Sequence, residues 1–179
     1  AMNLAMSFAL TNKKVILVGL DIRKPMLGEY MHISKSNGVT MYISDPTHSV
    51  DDVIIPSGIH KSLDVIPAGP IPPNPAELLM NSRLDDLIAE LRNRYDYVII
   101  DSAPVGVVSD TYLLNRFIDS AVYVSRQHYT PKAVTELINE IHDHQKLKNI
   151  GLVLNGVDEA TGYGYGYGYG HARESKKIK

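Results

Sequence analysis

Hydrophobic positions along the chain follow two alternating rhythms. Met2, Ala5, Met6 and Ala9 recur at helical spacing through Ala1 to Leu10, and Thr11-Asn12 breaks the pattern before the β-branched run Val15-Ile16-Leu17-Val18. The prediction is a helix feeding a buried strand. Leu63 to Ile66 reads as a second strand, closed by Pro67-Ala68-Gly69-Pro70. Pro72-Pro73-Asn74-Pro75 forbids regular structure before helical periodicity resumes over Ala76 to Arg92. Tyr97 to Ile100 is a third strand, and Ser109 or Asp110 is placed to cap a short helix through Arg116. Ala121 to Val124 is the fourth strand. Thr130-Pro131 joins a capping hydroxyl to a proline at the first helical position, which predicts a helix running to about Lys146. Ile150 to Leu154 is the fifth strand. Near-continuous apolar strands separated by helices indicate a parallel sheet covered on both faces, so the expected fold is a doubly wound α/β sandwich.

The rhythm stops after residue 158. Gly162-Tyr163-Gly164-Tyr165-Gly166-Tyr167-Gly168-Tyr169-Gly170 places four phenols on a segment with few side chains to bury. Alternating glycine maximises backbone freedom, so the expected organisation is an α/β domain over 1–158 and a flexible Tyr/Gly-rich tail over 159–179. Two uses of the tyrosines are open: an adhesive stretch that stacks or pairs as an edge strand, or a set of accessible acceptors for phosphate or sulfate.

Composition narrows the class. The chain has 179 residues, 44% of them hydrophobic and 21% charged, enough for one α/β core. A net charge of −2 gives no global reason to expect nucleic acid, and the basic end Arg173 to Lys179 reads as a solvated terminus. Without cysteine there is neither a disulfide framework nor a thiolate metal site. No apolar run reaches the roughly 18 to 20 residues that cross a bilayer, so membrane association is expected through a partner or through sequence outside this chain. Ala1 to Leu10 has neither the basic leader nor the cleavage-type ending of a signal peptide.

In open α/β sheets ligands lie beyond the carboxyl ends of the strands, and two of those ends carry aspartate. One is Val18-Gly19-Leu20-Asp21-Ile22-Arg23-Lys24-Pro25, the other Val98-Ile99-Ile100-Asp101-Ser102-Ala103-Pro104. An aspartate at the tip of a buried strand is held rigidly and partly desolvated, which suits a magnesium ion or its water shell beside nucleotide phosphates. An aspartate that only caps its own turn would look the same in isolation. Arg23 is placed to neutralise phosphate or to pair with a carboxylate. Other candidates are weaker. His142 and His144 lie two apart on a predicted helix and point to different sides, Lys13 and Lys14 read as a solvated turn, and Ser102 has neither a nucleophile elbow nor an evident histidine partner.

These motifs, in this order, resemble the catalytic domain of the bacterial tyrosine kinases of capsule and exopolysaccharide synthesis, P-loop proteins related to the MinD and ParA group. Asp21-Ile22-Arg23-Lys24-Pro25 matches the latter half of the family's modified second Walker motif, and Val98 to Pro104 matches its Walker B motif. Pro72-Pro73-Asn74-Pro75-Ala76-Glu77-Leu78-Leu79 resembles a segment typical between them, and the cluster Tyr163, Tyr165, Tyr167 and Tyr169 completes the series. The resemblance implies ATP and Mg2+ as cofactors, Asp21, Arg23 and Asp101 as catalytic residues, Asp21 and Asp101 also as metal and cofactor ligands, and the tail tyrosines as phosphoacceptors in a neighbouring subunit. Asn155 resembles a position near the nucleotide base, although an asparagine turn before Gly156 explains it equally well.

Further implications are a homo-oligomer such as a ring, a membrane-embedded polysaccharide co-polymerase as activator, an opposing phosphatase, no nucleic acid, and a place in the cytoplasm at the inner face of the cell membrane. Two departures accompany the match. Gly19 stands where the family pattern has an earlier aspartate, and no Gly-x-x-x-x-Gly-Lys-Ser/Thr occurs in the chain. The expectation is therefore a natural protein longer at its N-terminus, and a 179-residue chain that binds ATP weakly and exposes apolar surface and strand edges. Two alternatives remain open: a non-catalytic partition-type or regulatory ATPase with a binding tail, and a nucleotide-free interaction domain.

Overall fold

The computed structural model describes residues 1–34 and 36–158. Its centre is β1 (Val15–Gly19), buried at every position. On one side β1 pairs in parallel with β3 (Leu63–Ile66), on the other with β4 (Tyr97–Asp101). β2 (Ile55–Pro56) adds an antiparallel edge, giving the order β2-β3-β1-β4.

The strand pleat explains the unbroken apolar run. Side chains alternate between faces, so Val15 and Leu17 join Ala5 and Ala9 of α1 (Met2–Ala9) together with Leu63 and Val65. Ile16 and Val18 point the other way, into a larger core with Ile66 and with Leu84, Leu87, Ile88 and Leu91 of α5 (Ser82–Arg94). A strand covered on both faces needs apolar residues at every position. Phe8 stacks on Tyr97 with ring centroids 4.1 Å apart, tying α1 to β4.

The helix expected over Ala76 to Arg92 is two helices, α4 (Pro75–Met80) and α5. Asn81 adopts an extended conformation and its Oδ1 accepts a hydrogen bond from the Arg83 amide, so it caps α5 and stops α4. Two short helices absent from the apolar pattern, α2 (Leu27–Tyr30) and α3 (Val39–Ser44), lie between β1 and β2.

Ser109–Arg116 is a 3-10 helix without a side-chain cap. The helix expected from Thr130 begins only at Val134 and ends at Asp143, forming α6 (Val134–Asp143). Thr130 does not cap it: its Oγ1 accepts from the Arg126 amide, closing the turn that follows β5 (Ala121–Arg126).

β5 pairs in parallel with β6 (Ile150–Asn155) in a separate two-stranded sheet. The expected cover on both faces fails here. Val122, Val124, Leu152, Val153 and Leu154 are all exposed, whereas no residue of β1 is.

Candidate functional site

The carboxyl ends of β1 and β4 coincide, with Gly19 opposite Asp101. As the chain leaves β1 it turns across the tip of β4, and the amides of Leu20 and Asp21 both donate to the Asp101 carbonyl oxygen, at 2.7 and 3.0 Å. The two aspartates predicted from separate motifs are thereby brought to one edge of the sheet.

Their environments differ. Asp21 accepts from the Lys24 amide at 3.0 Å through Oδ1, so it does close its own turn, and Oδ2 is left over. The Asp101 carboxylate has no hydrogen-bond partner among the described residues. Burial pushes its pKa above the ordinary aspartate value, and the negative charge of Asp21 adds to it. A desolvated carboxylate beside a second one is stabilised by a cation. The pair suits magnesium, a hard ion that commonly takes one or two protein carboxylates and completes its shell with water and phosphate oxygens. No group of three or more His, Asp or Glu side chains suited to a metal occurs among the described residues.

Arg23 is not free. Its Nε donates to Asp110 Oδ2 at 2.5 Å, and this pairing is the main cause holding its pKa above the usual arginine value. Asp110 is buried in the 3-10 helix that follows the β4 loop. That loop is itself fastened: the amides of Val107 and Val108 donate to the Pro104 carbonyl, and Thr111 Oγ1 donates to the Ala103 carbonyl at 2.7 Å. Asp110 thus pairs with Arg23 and does not cap the helix as its position in the sequence suggests. The signal that would have found it is a charged residue among positions that otherwise pack inward, Thr111 and Leu114.

Position 19 has little room. A Cβ there would lie 3.0 Å from the Ala68 amide nitrogen and 3.3 Å from Leu27 Cδ2. The third wall of the edge is the Pro67–Pro70 segment after β3, clamped by the amides of Val39 and Thr40, which donate to the Pro67 and Ala68 carbonyls, and by Thr40 Oγ1 donating to Pro70. Gly38 permits that approach, since a Cβ there would fall 2.2 Å from the Pro67 oxygen.

Asn155 is not brought to this edge by any shared hydrogen bonding. It ends β6, in the other sheet, and its Oδ1 accepts from the Gly156 amide at 2.9 Å, as an asparagine turn requires. Tyr163, Tyr165, Tyr167 and Tyr169 lie outside the described residues.

The family profile described as AAA domain matches residues 1–154. The tyrosine-protein kinase YwqD of Bacillus subtilis is 35% identical over 156 residues, covering 87% of this chain and 65% of the relative. The tyrosine-protein kinase CpsD of Streptococcus agalactiae is 30% identical, covering 98% of this chain and 76% of the relative. Among solved structures, the kinase domain of the Escherichia coli tyrosine kinase ETK superposes with a TM-score of 0.79 at 32% identity, over 93% of this chain and 64% of that one.

The chain belongs to the AAA domain family and, within it, to the bacterial tyrosine-protein kinases. MinD from Pyrococcus horikoshii, a structure solved with Mg-ADP, shares the fold at 18% identity and a TM-score of 0.65. The chain spans 65% of the Bacillus relative and 21% of a Klebsiella pneumoniae relative from the cps region. No helix among the described residues is long and apolar enough to cross a membrane.

Proposed function

We propose that this chain is the catalytic domain of a protein-tyrosine autokinase that controls capsular or exopolysaccharide synthesis. The observation that carries the reading is the meeting of Asp21 and Asp101 on one sheet edge, in a chain 30 to 35% identical to tyrosine-protein kinases over most of its length. Asp101, assisted by Asp21, would hold Mg2+, an ion whose chemistry there would be neutralisation of phosphate charge. Arg23 supplies a second positive charge nearby. The phosphoacceptors are Tyr163, Tyr165, Tyr167 and Tyr169 of a second copy. A tail that begins just beyond β6 leaves from the sheet that does not carry the carboxylates, which favours transfer between subunits.

With Gly19 in place of a further carboxylate, activation of the phenol rests on positioning and electrostatics more than on a dedicated base, as phosphoryl transfer allows. The partner for such a domain is a membrane-embedded polysaccharide co-polymerase, with a phosphatase resetting the tail. Its place is at the cytoplasmic face of the membrane.

A non-catalytic nucleotide-binding regulator is the second reading, favoured by Gly19. Assays with Mg2+ and ATP on the 179-residue chain and on the full-length gene product separate the two. The kinase reading expects phosphotyrosine on the full-length product and little or none on the 179-residue chain, which contains no phosphate-loop motif. Nucleotide binding by the full-length product without any phosphotyrosine would favour the regulator.

A further inference from the structure

Among the described residues the buried polar side chains are Thr40, Ser57, Asp110 and Thr111, and of these only Asp110 carries a charge. Thr40, Ser57 and Thr111 donate to nearby backbone carbonyls. Asp110 instead reaches a residue 87 positions away. Its side chain is 11% exposed while that of its partner Arg23 is 44% exposed, so the carboxylate is sunk in the protein and the guanidinium stands at the surface.

Only Nε of Arg23 is engaged. Nη1 and Nη2 have no partner among the described residues, although arginine presents five donors in a rigid fork. A pair serving only to join two segments would gain most from bidentate contact. Arg23 lies two residues beyond Asp21, whose amide is bonded to the Asp101 carbonyl, and the Asp21 carboxylate acts electrostatically on the Arg23 guanidinium, so the cation stands near the edge that carries the two carboxylates.

We propose that Asp110 is a positioning residue: it grips Arg23 through Nε and leaves Nη1 and Nη2 for the phosphate oxygens of the nucleotide gathered at Asp21 and Asp101. This rests on the nucleotide-binding reading of the site. The buried carboxylate keeps the cation in place because moving Arg23 away would strand an unpaired charge in the interior. A long flexible side chain is thus ordered during folding rather than during binding.

The test uses the full-length gene product with Mg2+ and ATP, reading KM for ATP, kcat for tyrosine phosphorylation and the melting temperature. Asp110→Asn should raise KM for ATP about tenfold or more, the usual scale for a charge-assisted contact, and Asp110→Glu should recover part of the loss. Adding Asp110→Asn to an Arg23→Ala protein should change KM no further. Arg23→Lys keeps a cation opposite the buried Asp110 carboxylate and therefore the fold, but loses the fork; it should raise KM while the melting temperature holds.

An active protein in which Asp110→Asn or Arg23→Lys leaves KM unchanged would overturn the proposal and reduce the pair to a latch. So would an equal effect of Asp110→Asn with and without Arg23. Absence of nucleotide binding and turnover in the unsubstituted full-length protein would overturn the nucleotide-binding reading itself, and that result is visible before any substitution is made.

Discussion

β1 and β6 are both apolar strands in parallel pairings, yet β1 has no exposed residue while β6 is exposed from Gly151 to Asn155. The difference lies in what covers them. α1 and α5 close both faces of β1, and its two neighbours close both edges. Among the described residues β6 has a single neighbour, β5, and leaves Leu152, Val153 and Leu154 in contact with solvent. Apolar sequence alone therefore does not tell how much a residue stabilises the fold; the covering elements decide it. The carboxylate pair is mounted on the covered side of this contrast, whereas Asn155 lies on the open side.

The largest expected effect is at the covered strand. Leu17→Ala should cost about 2 to 5 kcal/mol in urea unfolding, because the cavity opens between closed layers. Val153→Thr should stay within about 0.5 kcal/mol, the range of substitutions away from packed features. Similar losses at the two sites would break the contrast. Gly38→Ala comes next: a methyl group 2.2 Å from the Pro67 oxygen must push apart the clamp beside the site, with an expected loss of about 1 to 3 kcal/mol in the same measurement.

A smaller effect has the opposite sign. Asp101 has a raised folded-state pKa, so the folded protein holds its proton more firmly than the unfolded chain does. Its contribution to stability is fully present below the ordinary aspartate pKa and is lost as pH rises through the raised value. Asp101→Asn should therefore raise the melting temperature modestly at neutral pH and flatten the stability profile across that acidic window. In the unsubstituted full-length protein, Mg2+ affinity should fall as pH drops through the same window, because protons compete for the carboxylate. Isothermal titration with Mg2+ at several pH values checks the second point. The smallest expected change is Gly19→Ala, whose Cβ needs shifts of a few tenths of an ångström at Ala68 and Leu27. It should lower the melting temperature slightly in a thermal scan.

Much of the first region was legible because its pattern and its structure have one cause. Val15 to Val18 are apolar throughout since both faces are packed, and the aspartates stand where that run meets the open edge. Leu63 to Ile66, Tyr97 to Ile100 and Ile150 to Leu154 were readable for the same period. What the pattern concealed depends on contacts distant in sequence or on a single polar atom. The break at Asn81 is one side-chain oxygen capping α5. Thr130 has the chemistry of a helix cap, but its oxygen is taken by Arg126, and α6 starts later. Asp110 could not be linked to Arg23 across 87 positions without knowing that the β1 and β4 loops share an edge. The exposure of β5 and β6 is not legible in their own pattern, since an uncovered apolar strand reads just as a covered one does; the expectation of exposed apolar surface and strand edges comes instead from the lack of a phosphate-loop motif.

The most direct test of the central claim is mass spectrometry of residues 159–179 in the full-length gene product after incubation with Mg2+ and ATP, with Asp101→Asn and a Tyr163, Tyr165, Tyr167 and Tyr169 to Phe protein alongside. The account predicts phosphate on the tail tyrosines of the unsubstituted protein and none in the Phe protein. Asp101→Asn should remain folded and lose most of the phosphate. A full load would add roughly −6 to −8 of charge, enough to loosen subunit contacts in parallel light scattering. An equal phosphotyrosine load on unsubstituted and Asp101→Asn proteins, or phosphate confined to tyrosines outside the tail, would contradict the account.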